Sequence, residues 1–139
     1  MRYLDTSVVV AYYIPEKKSK RVNALLSSSG RFHISPLTQV EFYSAVSRLT
    51  RMKSLQKPDA EKVISQFDIH CSDQLYRMVP ITGGVFEFAR QWISSFDTPL
   101  RTLDALHLAA AYANELTLVT DDAILAQSAR HIGLPVERI

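Results

Sequence analysis

Five acids in this chain stand where a carboxylate can do more than solvate a surface. Asp5 directly follows the short run "RYL" (2–4), and Asp121 and Asp122 follow "LTLV" (116–119) with only Thr120 between. Asp104 lies in "RTLDALHLAAAYANEL", one turn into a helical pattern that Thr102 could cap. Glu41 lies inside "PLTQVEFYSAVSRLTRM"; at about 100° per residue Leu37, Ala45, Leu49 and Met52 share its side, so it points into an apolar arc. A lone buried carboxylate is costly, so that arc is expected to border a polar pocket with a compensating cation. Carboxylates gathered at one place repel unless cations or protons intervene, and their oxygens are the donors that Mg²⁺ or Mn²⁺ prefers. The chemistry such a site suits is phosphoryl displacement by a metal-activated water. Taken singly, each aspartate has a simpler role, because Asp5, Asp104, Asp121 and Asp122 all stand near helix starts, where capping contributes about 1 kcal/mol.

The elements that would have to gather these acids can be read from the alternation of patterns. Strand-like runs at 2–4, 31–35, 76–81, 116–119 and 135–139 alternate with helical patterns at 6–13, 17–28, 36–53, 59–74, 83–95, 103–114 and 122–132. Breakers separate them at 27–30, 57–58, 83–84 and 98–99, and Gly133 with Pro135 ends the last helix. This is the order of βα units, which predicts an α/β fold with a mostly parallel five-stranded sheet in one domain spanning 1–139. Ligands of such sheets gather at the carboxyl ends of the strands, where Asp5 and the 121–122 pair fall.

Composition narrows the classes. Of the 139 residues, 47% are hydrophobic and 22% charged, close to globular averages, so neither a disordered chain nor a fibrous repeat fits. No apolar run approaches the roughly 20 residues of a membrane span, and the first residues lack a signal-peptide pattern, so a cytoplasmic protein is expected. Cys71 is the single cysteine, which leaves oxygen or imidazole as the metal donors. The net charge is only +2, yet cations cluster in "EKKSKR" (16–21) and "RLTRMKSLQK" (48–57). Such clusters are either solvated helix faces or contacts for a polyanion.

Four stretches in this order, "YLDTSVVVAYY", "ISPLTQVEFYSAVSRL", "LRTLDALHLAAAYANEL" and "LTLVTDDAILAQSARHIGLPV", resemble the PIN domains, and among them the VapC-like toxins of type II toxin-antitoxin pairs. The resemblance spans nearly the whole chain. It implies a three-layer PIN-like fold, a five-stranded parallel sheet flanked by about seven helices, and Mg²⁺- or Mn²⁺-dependent endoribonuclease activity. It assigns Asp5 and Asp104 as the acids expected to touch metal directly, and Glu41 and Asp122 as acids acting directly or through water. The family pattern of a threonine followed two residues later by Asp or Asn selects Asp122 as the fourth acid and leaves Asp121 as its neighbour. Ser7 and Thr120 match hydroxyls that could hold an acid or a water, although both are also good capping residues. His107, at i+3 from Asp104, matches no required position and reads as a packing or supporting residue. Lys17, Lys18, Arg48, Arg51 and Lys53 are candidates for contacts to the RNA backbone. The resemblance further implies a cognate antitoxin seated on the early helices and a homodimer.

Other readings are weaker. A haloacid-dehalogenase-like phosphatase wants a second aspartate at position 7, where Ser7 stands, and a receiver domain wants its acid after the middle strand, where Thr82 and Gly83 stand. A PIN-like module retained only for RNA or protein binding predicts a broken set of acids. Tyr12, Tyr13, Phe42 and Tyr43 could stack on bases but at helical spacing read as core or interface. Trp92 reads as packing with Phe88 and Phe96, one helical turn to either side.

Overall fold

The computed structural model describes residues 1–28 and 30–139. Along them run β1 (Arg2–Leu4), α1 (Thr6–Tyr13), α2 (Ser19–Ser27), β2 (Phe32–Ile34), α3 (Pro36–Arg51), α4 (Lys57–Ser72), β3 (Tyr76–Met78), α5 (Gly83–Ser94), α6 (Thr102–Ala113), β4 (Thr117–Thr120), α7 (Ala123–Ile132) and β5 (Val136–Arg138). The five strands form one parallel sheet in the order β3-β2-β1-β4-β5. The fold is thus α/β, with a central five-stranded parallel sheet and seven flanking helices among the described residues. Ser29, within the break expected at 27–30, lies outside them.

Strands of a doubly covered sheet send successive side chains to opposite cores, and the central strands do so residue by residue. Tyr3 and Leu118 enter one core with α5, α6 and α7; Leu4 and Val119 enter the other with α1, α2, α3 and α4. Between the sheet and α5, α6 is buried continuously from Ala105 to Ala111, and its alanines at 105, 109, 110 and 111 let it lie close on both sides. The second core is aromatic: Phe42 and Phe67 lie 4.2 Å apart by ring centroid, and Tyr13 meets both edge-on. Tyr13 and Phe42 are therefore core residues, while Tyr43 remains partly exposed.

Several boundaries differ from the sequence expectation for identifiable reasons. The third strand stops at Met78 and not at 81, because Pro80 has no amide with which to extend a ladder. The fourth helix starts at Lys57 with Pro58 in its first turn, where a missing amide costs nothing, so Pro58 opens the helix and does not separate elements. Arg101, not Thr102, occupies the N-cap of α6. Trp92 stacks on Phe88 at 5.8 Å and meets Tyr112 edge-on at 5.4 Å, whereas Phe96 lies beyond the end of α5 at 90% exposure and takes no part. Met52 likewise falls at the C-cap of α3 and is exposed, which leaves Leu37, Ala45 and Leu49 half-buried on the side of Glu41.

Candidate active site

The sheet order reverses at β1: the chain proceeds to β2 and β3 on one side, then returns to β4 and β5 on the other. A crevice opens at the carboxyl ends of strands where order reverses, and here those strands are β1 and β4. Asp5 leaves β1 into that crevice, anchored by its amide donating to the Val119 carbonyl at 3.0 Å. Its side chain is buried and does not cap α1. Instead Oδ2 accepts two hydroxyls, Ser7 Oγ and Thr120 Oγ1, each at 2.8 Å.

Glu41 reaches the same crevice from α3. Its Oε2 accepts Thr6 Oγ1 at 2.7 Å and His107 Nε2 at 2.5 Å, so the compensation expected from a cation comes from an imidazole and a hydroxyl. Burial pushes this carboxyl up, but the His107 hydrogen bond and charge, together with Thr6, outweigh burial and hold it below its ordinary value.

Asp104 stands half-buried in the first turn of α6. Burial raises its carboxyl above the ordinary range, and the charges of Asp5, Asp122 and Glu41 add to that rise while His107 opposes it. Asp104 thus feels the charges of the other three acids. Asp122 does act as a cap, its Oδ1 accepting the amides of Ile124 at 2.7 Å and Leu125 at 2.9 Å, while its own amide donates to Thr120 Oγ1 at 3.0 Å. Asp121 is turned elsewhere and pairs with Lys18.

A shared pattern links three of these acids. In Asp5, Glu41 and Asp122 two donors converge on one oxygen, and among the described residues no protein donor reaches the other. Each carboxylate is thus fixed by one oxygen and offers the second. Among the described residues no three His, Cys, Asp or Glu side chains form a ready-made metal-holding group. The donor set nonetheless suits a hard divalent cation: all four groups are carboxylates, three present an uncommitted oxygen, and Asp104 carries repulsion that a cation would relieve.

Beside the acids lies a cavity of ≈ 460 Å³ whose wall includes Thr6 and Ser7, the residues that hold Glu41 and Asp5. Lys17, Lys18 and Arg48 line it; Arg51 and Lys53 do not. Arg51 instead donates to Ser47 Oγ at 2.7 Å, and Lys53 occupies a left-handed turn after α3. Sequence reasoning missed Tyr3, Thr6 and Ser35, whose hydroxyls join the hydrogen bonds around Glu41 and His107. A hydroxyl inside an apolar alternation, as at Tyr3, is a faint signal, and no spacing rule connects it to residue 107.

The PIN domain family model matches residues 2–131. Similar solved structures include FitAcB from Neisseria gonorrhoeae, at 22% identity over 98% of this chain and 96% of that one with a TM-score of 0.79. VapBC2 from Rickettsia felis, solved with a DNA fragment from its promoter, shows 20% identity over 100% and 99% with a TM-score of 0.72. VapC20 from Mycobacterium tuberculosis, a sarcin-ricin loop cleaving toxin, shows 19% identity over 92% and 95% with a TM-score of 0.70. No curated protein matches the sequence. With the family model matched across nearly the whole chain, this chain belongs to the PIN-domain family.

Proposed function

We propose that this chain is a metal-dependent endoribonuclease toxin, neutralised by a cognate antitoxin. What supports the reading is the hydrogen bonding that ties Asp5 to Asp122 through Thr120 and Glu41 to Thr6 and His107, each of the three acids held by a single oxygen, with Asp104 raised by the charges of the other three. Mg²⁺ or Mn²⁺, bound by Asp5 and Asp104 directly and by Glu41 and Asp122 directly or through water, would supply activation of the attacking water and neutralise charge on the leaving oxygen. The chain's own contribution is placement. Ser7 and Thr120 keep Asp5 from rotating, and the α7 amides do the same for Asp122. Lys17, Lys18 and Arg48 stand in the wall of the adjoining cavity beside Glu16 and Asp121, and with Lys18 paired to Asp121, Lys17 and Arg48 are the cations offered to RNA phosphates. The products are a 5′-phosphate and a 3′-hydroxyl. The antitoxin is suggested by the family resemblance, and the exposed apolar residues Val40 of α3 and Ile69 of α4 offer it a surface.

A fluorogenic RNA of mixed sequence, incubated with Mg²⁺ or Mn²⁺ or with a chelator, tests the reading. Wild type should cleave only with metal, and Asp5→Asn should lose about 100-fold or more, beyond the roughly 10- to 100-fold usual for residues that merely support a ligand. Cleavage in chelator, or full activity of Asp5→Asn, would refute it.

A further inference from the structure

We propose that Tyr3 and His107 are positioning residues for Glu41, a buried hydrogen-bond chain that decides which glutamate oxygen is presented to the crevice. Only the kinetic arm of its test rests on the nuclease reading above.

Tyr3 on β1 is fully buried, its ring among apolar side chains and its hydroxyl against the buried polar groups of Ser35 and His107. A phenylalanine would fill that space without a polar group to satisfy, so the hydroxyl calls for a reason beyond packing. Its oxygen lies 2.8 Å from Ser35 Oγ and 2.8 Å from His107 Nδ1. His107 is itself 1% exposed, and its other nitrogen, Nε2, lies 2.5 Å from Glu41 Oε2. With Glu41 ionised, Nε2 must be the donor to it. In the neutral ring Nδ1 then accepts from the Tyr3 hydroxyl, in the charged ring it donates to the Tyr3 oxygen, and in either state Ser35 completes the contact. A flipped ring would set carbon atoms against both partners, so the two contacts lock the imidazole between them.

The consequence falls on Glu41. A glutamate has three rotatable bonds, and a single hydrogen bond from Thr6 would leave its carboxylate free to pivot about the bonded oxygen. The second donor on the same oxygen removes that freedom and leaves Oε1 facing away from both. Five elements contribute to this one side chain: β1 through Tyr3, the end of β2 through Ser35, α6 through His107, α1 through Thr6 and α3 through Glu41 itself. Donors that orient a ligating side chain typically matter by about 10- to 100-fold.

The test is a double-mutant cycle. Tyr3→Phe deletes one oxygen and keeps the ring, so the chain should still fold; kcat should fall about tenfold with little change in KM for RNA. His107→Ala should lose more, and His107→Gln, which restores a donor, should recover part of that loss. In a Glu41→Gln background, assayed at single turnover, Tyr3→Phe should cost nothing further. Equal losses in both backgrounds, or full kcat in Tyr3→Phe, would overturn the proposal. Histidine ¹⁵N spectra provide a readout without RNA: Tyr3→Phe should move the His107 Nδ1 resonance and Glu41→Gln the Nε2 resonance. If neither moves, the chain does not exist. If both move while wild type cleaves no RNA, the positioning of Glu41 stands and the nuclease reading fails.

Discussion

Two acids that feel the same imidazole are driven in opposite directions. Glu41 has a carboxyl held below its ordinary value, so its contribution to stability is present at neutral pH and is lost as pH falls through the folded value. Asp104 has a raised carboxyl, so the folded chain binds that proton more tightly than the unfolded chain does, and stability is lost as pH rises through the folded value. In chelating buffer at pH 7, Glu41→Gln should therefore unfold at a lower temperature than wild type and Asp104→Asn at a higher one. The Asp104 difference should narrow as pH falls toward the ordinary carboxylate value of about 4, and the Glu41 difference only as pH falls below it. Two shifts of the same sign in thermal unfolding would contradict this assignment.

The cap that Asp122 makes on α7 and the role proposed for it among the acids are separated by one substitution. Asparagine caps helices about as well as aspartate, so Asp122→Asn should leave stability nearly unchanged while lowering RNA cleavage by about tenfold or more. Asp121→Asn breaks only a partly exposed pair with Lys18, worth up to about 1 kcal/mol, and should change cleavage much less. The reverse order of activities would shift the fourth acid by one residue. Thr120 explains why the order should hold: its hydroxyl receives the Asp122 amide and donates to Asp5 Oδ2, tying the two acids together and bypassing Asp121.

Elements were legible in the sequence where periodicity and punctuation agreed. The alternation of strand and helix, the placement of Asp5 after β1, and the stop at Gly133, which adopts φ +83° at the C-cap of α7, all follow from local pattern. What stayed illegible depends on tertiary partners. The turn of Glu41 toward an imidazole and the ending of β3 at Met78 follow from contacts or pairing that periodicity does not carry, and Phe96 falls past a helix end that the pattern overran. The packing of α6 carries Asp104 and His107, since both residues lie on that helix against the sheet. Ala109 is fully buried there, and Ala109→Leu should cost about 1–3 kcal/mol by forcing α6 outward. Urea unfolding would measure the loss, and a cost near zero would mean that α6 is less tightly seated than its burial indicates.

At the scale of the whole molecule, the sheet order does what local sequence cannot. Asp5 and Thr120 are separated by 115 residues, yet the pairing of β1 with β4 brings them within hydrogen-bond range. Next to Thr6 and Ser7 lies the cavity whose wall mixes Lys17, Lys18 and Arg48 with Glu16 and Asp121. Among the described residues no helix is long and apolar enough to cross a membrane. A site built of carboxylates directs attack by water, whereas a histidine-led ribonuclease would use the ribose 2′-hydroxyl and leave a cyclic phosphate. Chemical identification of the ends of RNA cleaved by the wild-type protein in Mg²⁺ tests that distinction most directly. The account predicts 5′-phosphate and 3′-hydroxyl termini; 2′,3′-cyclic phosphate with a 5′-hydroxyl would contradict it.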